Sequence, residues 1–385
     1  MQYDVAEPRG RLIDERRTDF MTWADRVSPA AFIMPAVLVI LALSIFPLIV
    51  SVYLSLARVK FEKGGVTVTF IGLLNYKKLL FGTQQFHLIG TLMPITPLGW
   101  TFVSIAVALL ALWLVTTARH GVASIGLVGR LLVAVAVVAL VLLVAATASE
   151  GGQLGTIGVT LTYVLIGVCV QYGLGLGLAL LCVQNLRGRG FFRVVFFLPM
   201  MITPVGVAYT FRMLTDTTKG PFAPLWQWVG LGDFAWAATA WGARVAVMIG
   251  DAWQWTPFMF IVLLAAIEGQ PRDQVEAANV DGANHWQIFR FITWPAIMPV
   301  TITLVLIRVI EAFKIVDLPN VLTNGGPGIA SESMTLHAYS AWRALDIGGS
   351  AAIAYMLMFI VTFFCVAFVN LVRARPAGAA TGPQR

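Results

Sequence analysis

EGQPRDQVEAANVDGANHWQIFRFITWP, residues 268–295, is a polar run between two long apolar segments. Asp273 stands where a side chain can cap the start of a helix, and with Glu276 it places negative charge at the favourable end of the helix dipole. Gly282 is predicted to end this helix, because glycine tolerates the backbone angles found at helix C-termini. A second short amphipathic run follows, and Pro295 is predicted to begin the next membrane helix. The pattern therefore predicts two short helices joined by a glycine elbow outside the bilayer.

The same run contains the pattern E-A-A, three residues, G, nine residues, I-x-x-P. It resembles the cytoplasmic EAA loop of permease subunits of bacterial ABC importers, except that Trp294 stands where that family usually has leucine. A solvated connector is the alternative, but a connector has no reason to place small alanines beside a glycine elbow, where another protein can approach closely. The resemblance implies that the loop docks onto ATPase subunits through Glu276, Ala277, Ala278, Asp281, Gly282, Ile292 and Pro295.

The composition indicates an integral membrane protein. Of the 385 residues, 58% are hydrophobic and 12% are charged, whereas soluble domains carry about 25% charged residues. The net charge of +7 is spread over short loops between apolar spans, which argues against a nucleic-acid partner. The three cysteines lie inside apolar segments and the four histidines lack ligand spacing, so neither a disulfide framework nor a metal site is predicted.

Eight apolar stretches are long enough to cross the hydrocarbon core, which needs roughly 20 residues. They lie at about 30–57, 90–116, 128–147, 157–183, 193–214, 241–267, 297–316 and 351–372. The first stretch is longer than a signal-peptide core and no small-residue cleavage site follows it, so an uncleaved helix is predicted. Lys and Arg are enriched in the loops that lie inside when the N-terminus is cytoplasmic. This bias predicts that both termini and the 268–295 loop are cytoplasmic.

The predicted order of segments is a cytoplasmic tail (1–29), a first transmembrane helix (30–57), a periplasmic segment (58–89), an inserted helix pair (90–147), a core permease domain (155–372) containing the 268–295 loop, and a second cytoplasmic tail (373–385). The inserted pair is almost wholly apolar. Such a composition favours packing against lipid or a partner over a place in the transport pathway.

Two further motifs carry a family resemblance. Residues 72–76 read GLLNY, which resembles the G-L-x-N-Y signature after the first helix of carbohydrate permeases, and residues 322–327 read LTNGGP, similar to an outside loop of sugar permeases. With the EAA pattern, they identify the chain as a member of the carbohydrate-uptake permeases of bacterial binding-protein-dependent ABC importers. The resemblance implies an all-α protein of the bacterial cytoplasmic membrane with a type I ABC importer permease fold and about eight transmembrane helices. Most such permeases have six helices, although the large permease subunit of maltose importers also has eight.

The resemblance also implies the partners. No G-x-x-x-x-G-K-[ST] loop occurs in the sequence, so ATP and Mg are expected on two separate ATPase subunits and this chain is not expected to be an enzyme. A second homologous permease, a periplasmic or lipid-anchored solute-binding protein and a carbohydrate or sugar derivative complete the expected importer. One alternative is an ion-coupled secondary transporter, which needs repeats and broken helices, and the sequence indicates neither. The other is a non-transporting membrane scaffold.

Charged and aromatic residues at membrane depth mark the candidate substrate pathway, because ionisable groups are costly there unless they face water or pair with one another. Helical spacing places Arg244, Asp251 and Trp255 on one face of the span at 241–267. Tryptophans in this span offer aromatic faces to sugar rings, but tryptophan near a helix end is also a common interfacial anchor. The full set of candidates is Arg244, Asp251, Trp253, Trp255, Arg308, Glu311 and Lys314.

Two interpretations of the acids stay open. Arg308 with Glu311, and Glu311 with Lys314, have the spacing of ion pairs along one helix. Alternatively, the carboxylates accept hydrogen bonds from solute hydroxyls. We expect solute contact for Asp251, whose helical face also holds Trp255, and packing for Glu311, which has a basic residue three positions away on either side. The basic candidates make an acidic sugar derivative worth testing.

Overall fold

The computed structural model describes residues 31–119, 124–147, 152–184 and 188–373. The predicted tail at 1–29, and all of the predicted C-terminal tail except Arg373, lie outside the described residues. The described chain is mostly helical, and it adds two short antiparallel ladders to the predicted all-α architecture.

The N-terminal region begins with the first span, helix α1 (Ala31–Ser55). A β-hairpin follows at once, formed by β1 (Ala57–Glu62) and β2 (Gly65–Phe70). Two short helices, α2 (Leu74–Phe81) and α3 (Gln85–Ile89), lead to the short strand β3 (Gly90–Thr91).

The GLLNY motif ties this region to the end of the first span. The side-chain amide of the buried Asn75 donates hydrogen bonds to the carbonyl oxygens of Ser55 (2.9 Å) and Ala57 (3.0 Å). The hydroxyl of Tyr76 donates to the Ser55 hydroxyl at 3.0 Å. The Asn75 amide thus satisfies the Ser55 carbonyl, which the helix end leaves free, together with the first carbonyl of β1. The motif therefore has a structural function here.

The predicted inserted pair consists of α4 (Pro97–Arg119) and α5 (Ser124–Thr147), followed by β4 (Gln153–Leu154). Strands β3 and β4 pair in antiparallel register and close the insertion at its base. At this point the backbones touch, because a Cβ built at Gly90 would lie 2.0 Å from the carbonyl oxygen of Gln153. Gly90, with φ +95°, is therefore required by both the close approach and the backbone conformation.

The rest of the chain forms the core. Its helices are α6 (Thr156–Val183), α7 (Arg189–Met201), α8 (Pro204–Leu214), α9 (Ala223–Trp228), α10 (Ala240–Glu268), α11 (Arg272–Val280), α12 (His285–Phe313), α13 (Met334–Arg343) and α14 (Ile347–Arg373). Helices α6 and α10 pack closely at Gly175, where there is no room for a side chain. A Cβ built there would lie only 2.5 Å from Cβ of Met259. Around this contact lies the main apolar cluster, which includes Phe260, Leu263 and Phe313.

Each of the eight predicted spans overlaps a helix, but not all of these helices are long enough to cross a membrane. Six helices in the described residues are long and apolar enough to cross a membrane, or seven if a bent pair is counted as one span. The apolar stretch Val133–Thr147 of α5 is shorter.

The predicted span at 193–214 is not one straight helix. Helices α7 and α8 are bent by 98° at a break between Met201 and Pro204. The residue before a proline avoids helical angles, and Thr203 is accordingly extended and caps α8 by accepting a hydrogen bond from the Gly206 amide. The side-chain amide of Gln254 donates to the Ile202 carbonyl in the gap at 3.3 Å. The expectation that the chain has no broken helix was therefore wrong.

A histidine pair links the N-terminal region to the core on the side of the hairpin. The rings of His87 in α3 and His337 in α13 lie 4.9 Å apart, and His337 Nδ1 is 3.1 Å from Oε1 of Glu332. Burial, followed by the charge of His337, lowers the pKa of His87 below its ordinary value. The fold therefore disfavours the charged form of His87 relative to the free side chain.

Candidate functional site

The polar loop at 268–295 contains helix α11, whose residues are exposed or half-buried. None of the residues of α11, all of which the structure describes, is buried, and Val280 is 88% exposed. Glu276 and Ala277 are exposed and Ala278 is half-buried. Helix α11 starts after Pro271, so Asp273 lies within its first turn and is not the predicted cap. Helix α11 therefore leaves most of its surface, including Glu276, Ala277 and Val280, open to another protein.

Gly282 ends α11 as predicted. The Ala283 amide donates to the Ala278 carbonyl at 2.9 Å and the Gly282 amide donates to the Asn279 carbonyl at 3.1 Å. These two bonds define a Schellman motif, which needs a left-handed residue after the helix. Gly282 has φ +80°, a conformation that glycine adopts without strain. Asp281 is the last residue before this elbow.

The second arm of the loop differs from the prediction. The Asn284 side chain accepts a hydrogen bond from the Gln287 amide (2.9 Å) and the Gln287 side chain accepts one from the Asn284 amide (2.8 Å), which makes a capping box. The helix that begins there does not stop at Pro295. It continues through a π turn at Phe289–Thr293 and ends at Phe313.

The predicted second short helix is therefore the first part of α12, and Pro295 lies inside this helix instead of beginning it. The wider π turn ends two residues before Pro295, which has no N–H to donate. Ile292 is half-buried within the π turn. As a consequence, one continuous helical rod of about 40 Å, at 1.5 Å per residue, runs from beyond the elbow into the membrane.

A buried polar cluster lies on this rod. The Arg308 side chain is 1% exposed. It donates from Nη2 to Asp251 Oδ2 (2.5 Å) and from Nε to Gln171 Oε1 (2.6 Å). The Gln171 amide in turn donates to the same Asp251 oxygen at 2.7 Å, and the guanidinium lies 4.7 Å from the ring centroid of Trp255. The cluster joins α6, α10 and α12, and its hydrogen bonds and cation–π contact offset the cost of burying the charges.

The predicted ion pairs along α12 are confirmed in one case and wrong in the other. Lys314 Nζ lies 2.6 Å from Glu311 Oε1, and these side chains are 57% and 37% exposed. Arg308, by contrast, pairs with Asp251 of α10 and not with Glu311. Because it points into the core, Arg308 reaches a neighbouring helix, whereas the Glu311–Lys314 pair stays accessible to water.

A cavity of about 190 Å³ borders the buried cluster. It lies between the α7–α8 break, represented by Pro204, and the helices α10 and α12. Gln254 also lines it, and its Oε1 is buried without a hydrogen-bond partner among the described residues. Five of the seven predicted pathway residues line this cavity: Asp251, Trp255, Arg308, Glu311 and Lys314.

The structure places the other two candidates elsewhere. Arg244 is buried near the start of α10, where its Nε donates to the Ala330 carbonyl at 2.6 Å and its guanidinium lies 5.1 Å from the Trp241 ring centroid. Trp253 is 40% exposed, and its ring centroid lies 5.7 Å from that of Phe211. Arg244 and Asp251 are both buried on α10, which agrees with their predicted shared face. Two helical turns separate them, and only Asp251 lines the cavity.

The sequence analysis missed three contributors. Gln171 and Gln254 are single amides in apolar stretches, and only their contacts across helices distinguish them from other glutamines. Arg193 forms an ion pair with Glu268, which fastens α7 to the end of α10 where the polar loop begins. A polar residue within an apolar span is the signal that marks the two glutamines.

Comparison with known proteins gives the family. Residues 171–375 match the family described as "Binding-protein-dependent transport system inner membrane component". The trehalose/maltose transport system permease protein MalF of Thermococcus litoralis is 33% identical over 217 residues, which cover 56% of this chain and 74% of the relative. The trehalose transport system permease protein SugA of Mycobacterium tuberculosis is 30% identical over 227 residues, covering 59% and 72%.

A solved structure extends the likeness to nearly the whole fold. A chain of a bacterial ABC transporter involved in the import of the acidic polysaccharide alginate superimposes with a TM-score of 0.60 at 17% sequence identity. The match covers 95% of this chain and 99% of that one. At this identity the likeness concerns the fold alone.

The chain therefore belongs to the inner-membrane components of binding-protein-dependent transport systems and has the ABC importer permease fold. Within that family it is a multi-pass permease subunit of the sugar-importer type. It is a non-catalytic transmembrane subunit, and separate ATPase subunits handle ATP. Family membership also decides against the ion-coupled transporter, so the broken α7–α8 pair is a feature of this permease.

Proposed function

We propose that this subunit, paired with a second homologous permease, moves a di- or oligosaccharide or its acidic derivative along a pathway bordered by the residues that line the 190 Å³ cavity. The 268–295 loop couples this movement to two ATPase subunits. The observation that carries the proposal is the continuity of α12. Its first residues form the second arm of the loop, and Arg308, Glu311 and Lys314 at its other end border the cavity.

The exposed surface of α11 supports docking of the ATPases at the loop. Ala277 and Ala278 leave the helix narrow beside the exposed Val280, so another protein can approach its backbone closely. A push on the elbow then moves α12 as a whole, because the capping box at Asn284 fixes the start of the rod. Movement of α12 relative to α10 changes access to the cavity, which is the change that alternating access requires.

The chemistry around the cavity supports a carbohydrate. Glu311 and Lys314 are partly exposed and can exchange hydrogen bonds with sugar hydroxyls, and Gln254 Oε1 is a free acceptor there among the described residues. Trp255 adds an aromatic ring. Two relatives are named for trehalose or maltose transport, and a third for arabinooligosaccharides. A periplasmic or lipid-anchored binding protein would deliver such a solute.

The arrangement of segments belongs to the same proposal. Both termini and the loop lie in the cytoplasm, residues 155–372 form the translocating core, and the pair at 90–147 packs against lipid or a partner. The closed base of that pair, at the β3–β4 ladder, supports treating it as an insertion.

Thiol labelling tests this orientation. In a variant whose three cysteines are replaced, Lys219→Cys should react with a membrane-impermeant maleimide added to intact cells, because this exposed residue follows α8 on the outside. Asn279→Cys, equally exposed on α11, should react only after the membrane is opened and the docked ATPase subunits are removed. Labelling of Asn279→Cys in sealed cells would overturn the proposed orientation.

A further inference from the structure

The β1–β2 hairpin has one apolar and one polar face. Side chains directly opposite each other in an antiparallel ladder share a face, and neighbours along a strand alternate. The observed register pairs Val59 with Val68, Phe61 with Val66, and Lys60 with Thr67. One face therefore carries Val59, Phe61, Val66, Val68 and Phe70. The opposite face carries Arg58, Lys60, Glu62, Thr67 and Thr69.

Among the residues that the structure describes, nothing covers most of the apolar face. Phe61 is 52% exposed, Val66 56% and Phe70 64%. An isolated two-stranded hairpin is marginally stable at best in water, so its apolar face requires cover. On this face, only Ala57 at the base of the hairpin is fully buried.

The apolar face is continuous with the surface of the first span. The hairpin begins two residues after α1 ends, and the ring of Phe70 stacks on that of Tyr53 in the last turns of α1, with the centroids 6.4 Å apart. Tyr53 is itself 50% exposed on a span whose most apolar window contains no buried residue. A water-soluble partner cannot cover the hairpin face without also meeting the membrane surface at this point.

The basic residues on the polar face of the hairpin also suit a position at the membrane surface. Arg58 and Lys60 lie on the polar face, and Lys63 lies at the turn. Long basic side chains at a membrane boundary extend their charged ends to the headgroups while their stems cover apolar surface. Exposed apolar side chains on one face and basic residues on the other, at the end of a membrane span, are the combination that suits the interface plane of a bilayer.

We infer that the hairpin is a membrane-surface anchor. Phe61, Val66 and Val68 lie in the boundary between headgroups and acyl chains, and Arg58, Lys60 and Lys63 reach lipid phosphates. The anchor fixes the depth of α1 at the end opposite the coupling loop. This inference rests on membrane insertion of α1 and not on the proposed substrate.

Spin-label accessibility tests the anchor. The complete transporter complex, with the three native cysteines of this chain replaced, is reconstituted into phosphatidylglycerol-containing vesicles with a nitroxide at Phe61→Cys. Collisions with oxygen, which concentrates in the bilayer, should exceed collisions with a water-soluble nickel chelate. The matched control is Lys60→Cys, the neighbouring residue on the opposite face, where the order should be reversed.

Each other outcome overturns the inference. Higher nickel accessibility on both faces would mean that the apolar face stands in water. Low accessibility to both reagents at Phe61→Cys would mean that protein covers the apolar face. If the signal changes when the binding protein is added, that protein is the binding protein, and otherwise it is the second permease. Should Phe61→Cys fail to assemble, Val66→Cys occupies the paired position on the same face.

Discussion

Replacing Gly282 by valine is expected to remove most of the ATP hydrolysis that the binding protein stimulates, while leaving the membrane spans inserted. Gly282 has φ +80° at the end of α11, and a β-branched residue resists this left-handed conformation. Holding a residue there costs about 1–3 kcal/mol, and each 1.4 kcal/mol reduces the population of the native elbow roughly tenfold. The ATPase should also co-purify poorly with the permease.

The geometry supplies a control for this effect. Apart from its two chain neighbours, no described atom lies within 4 Å of a Cβ built at Gly282, so among the described residues a larger side chain meets no other steric obstacle. Asparagine tolerates the left-handed region, and Gly282→Asn should therefore retain most of the stimulation. Normal ATPase recovery and stimulation in Gly282→Val would remove the docking role of the loop.

Neutralising Asp251 is expected to destabilise the complex strongly. In Asp251→Asn, the Arg308 guanidinium stays buried without a counter-charge, and breaking a buried pair in this way costs about 3–5 kcal/mol. The melting temperature of the purified complex should fall. Arg308→Gln should have a similar effect, but the double variant should lose less than the sum of both, because the two changes remove one shared interaction.

This prediction revises the expectation drawn from the sequence, in which Asp251 contacts solute and Glu311 packs. Oδ2 of Asp251 already accepts two protein hydrogen bonds, whereas Glu311 belongs to a partly exposed pair worth about 0–1 kcal/mol. Glu311→Gln should melt almost normally and slow sugar uptake. If Asp251→Asn instead melts like the unmodified complex and transports slowly, the solute-contact role of Asp251 holds.

Local features were predictable where short-range chemistry decides them. The elbow at Gly282 was predictable because the left-handed residue that follows a helix is most often glycine. The Glu311–Lys314 pair was predictable because residues three positions apart are neighbours on a helix. Prediction from the sequence fails for α12, where Pro295 was taken as a helix start although a π turn lets the helix pass through.

The remaining features depend on contacts between distant parts of the chain. Arg308 can pair with Glu311 on its own helix or with Asp251, and only the packing of α10 against α12 selects the second. Pro204 marks the α7–α8 break locally, but the partner of the Ile202 carbonyl in that break is Gln254, 52 residues away in sequence. No periodicity in a single segment encodes such a partner.

The most direct test of the central claim is sugar uptake by vesicles that contain the complete complex. With a radiolabelled disaccharide or oligosaccharide outside together with the binding protein, uptake should require ATP inside, and omission of either the binding protein or ATP should abolish it. Dissipating the proton and sodium gradients should leave the rate unchanged. Uptake that persists without ATP and disappears with the ion gradients would contradict the account.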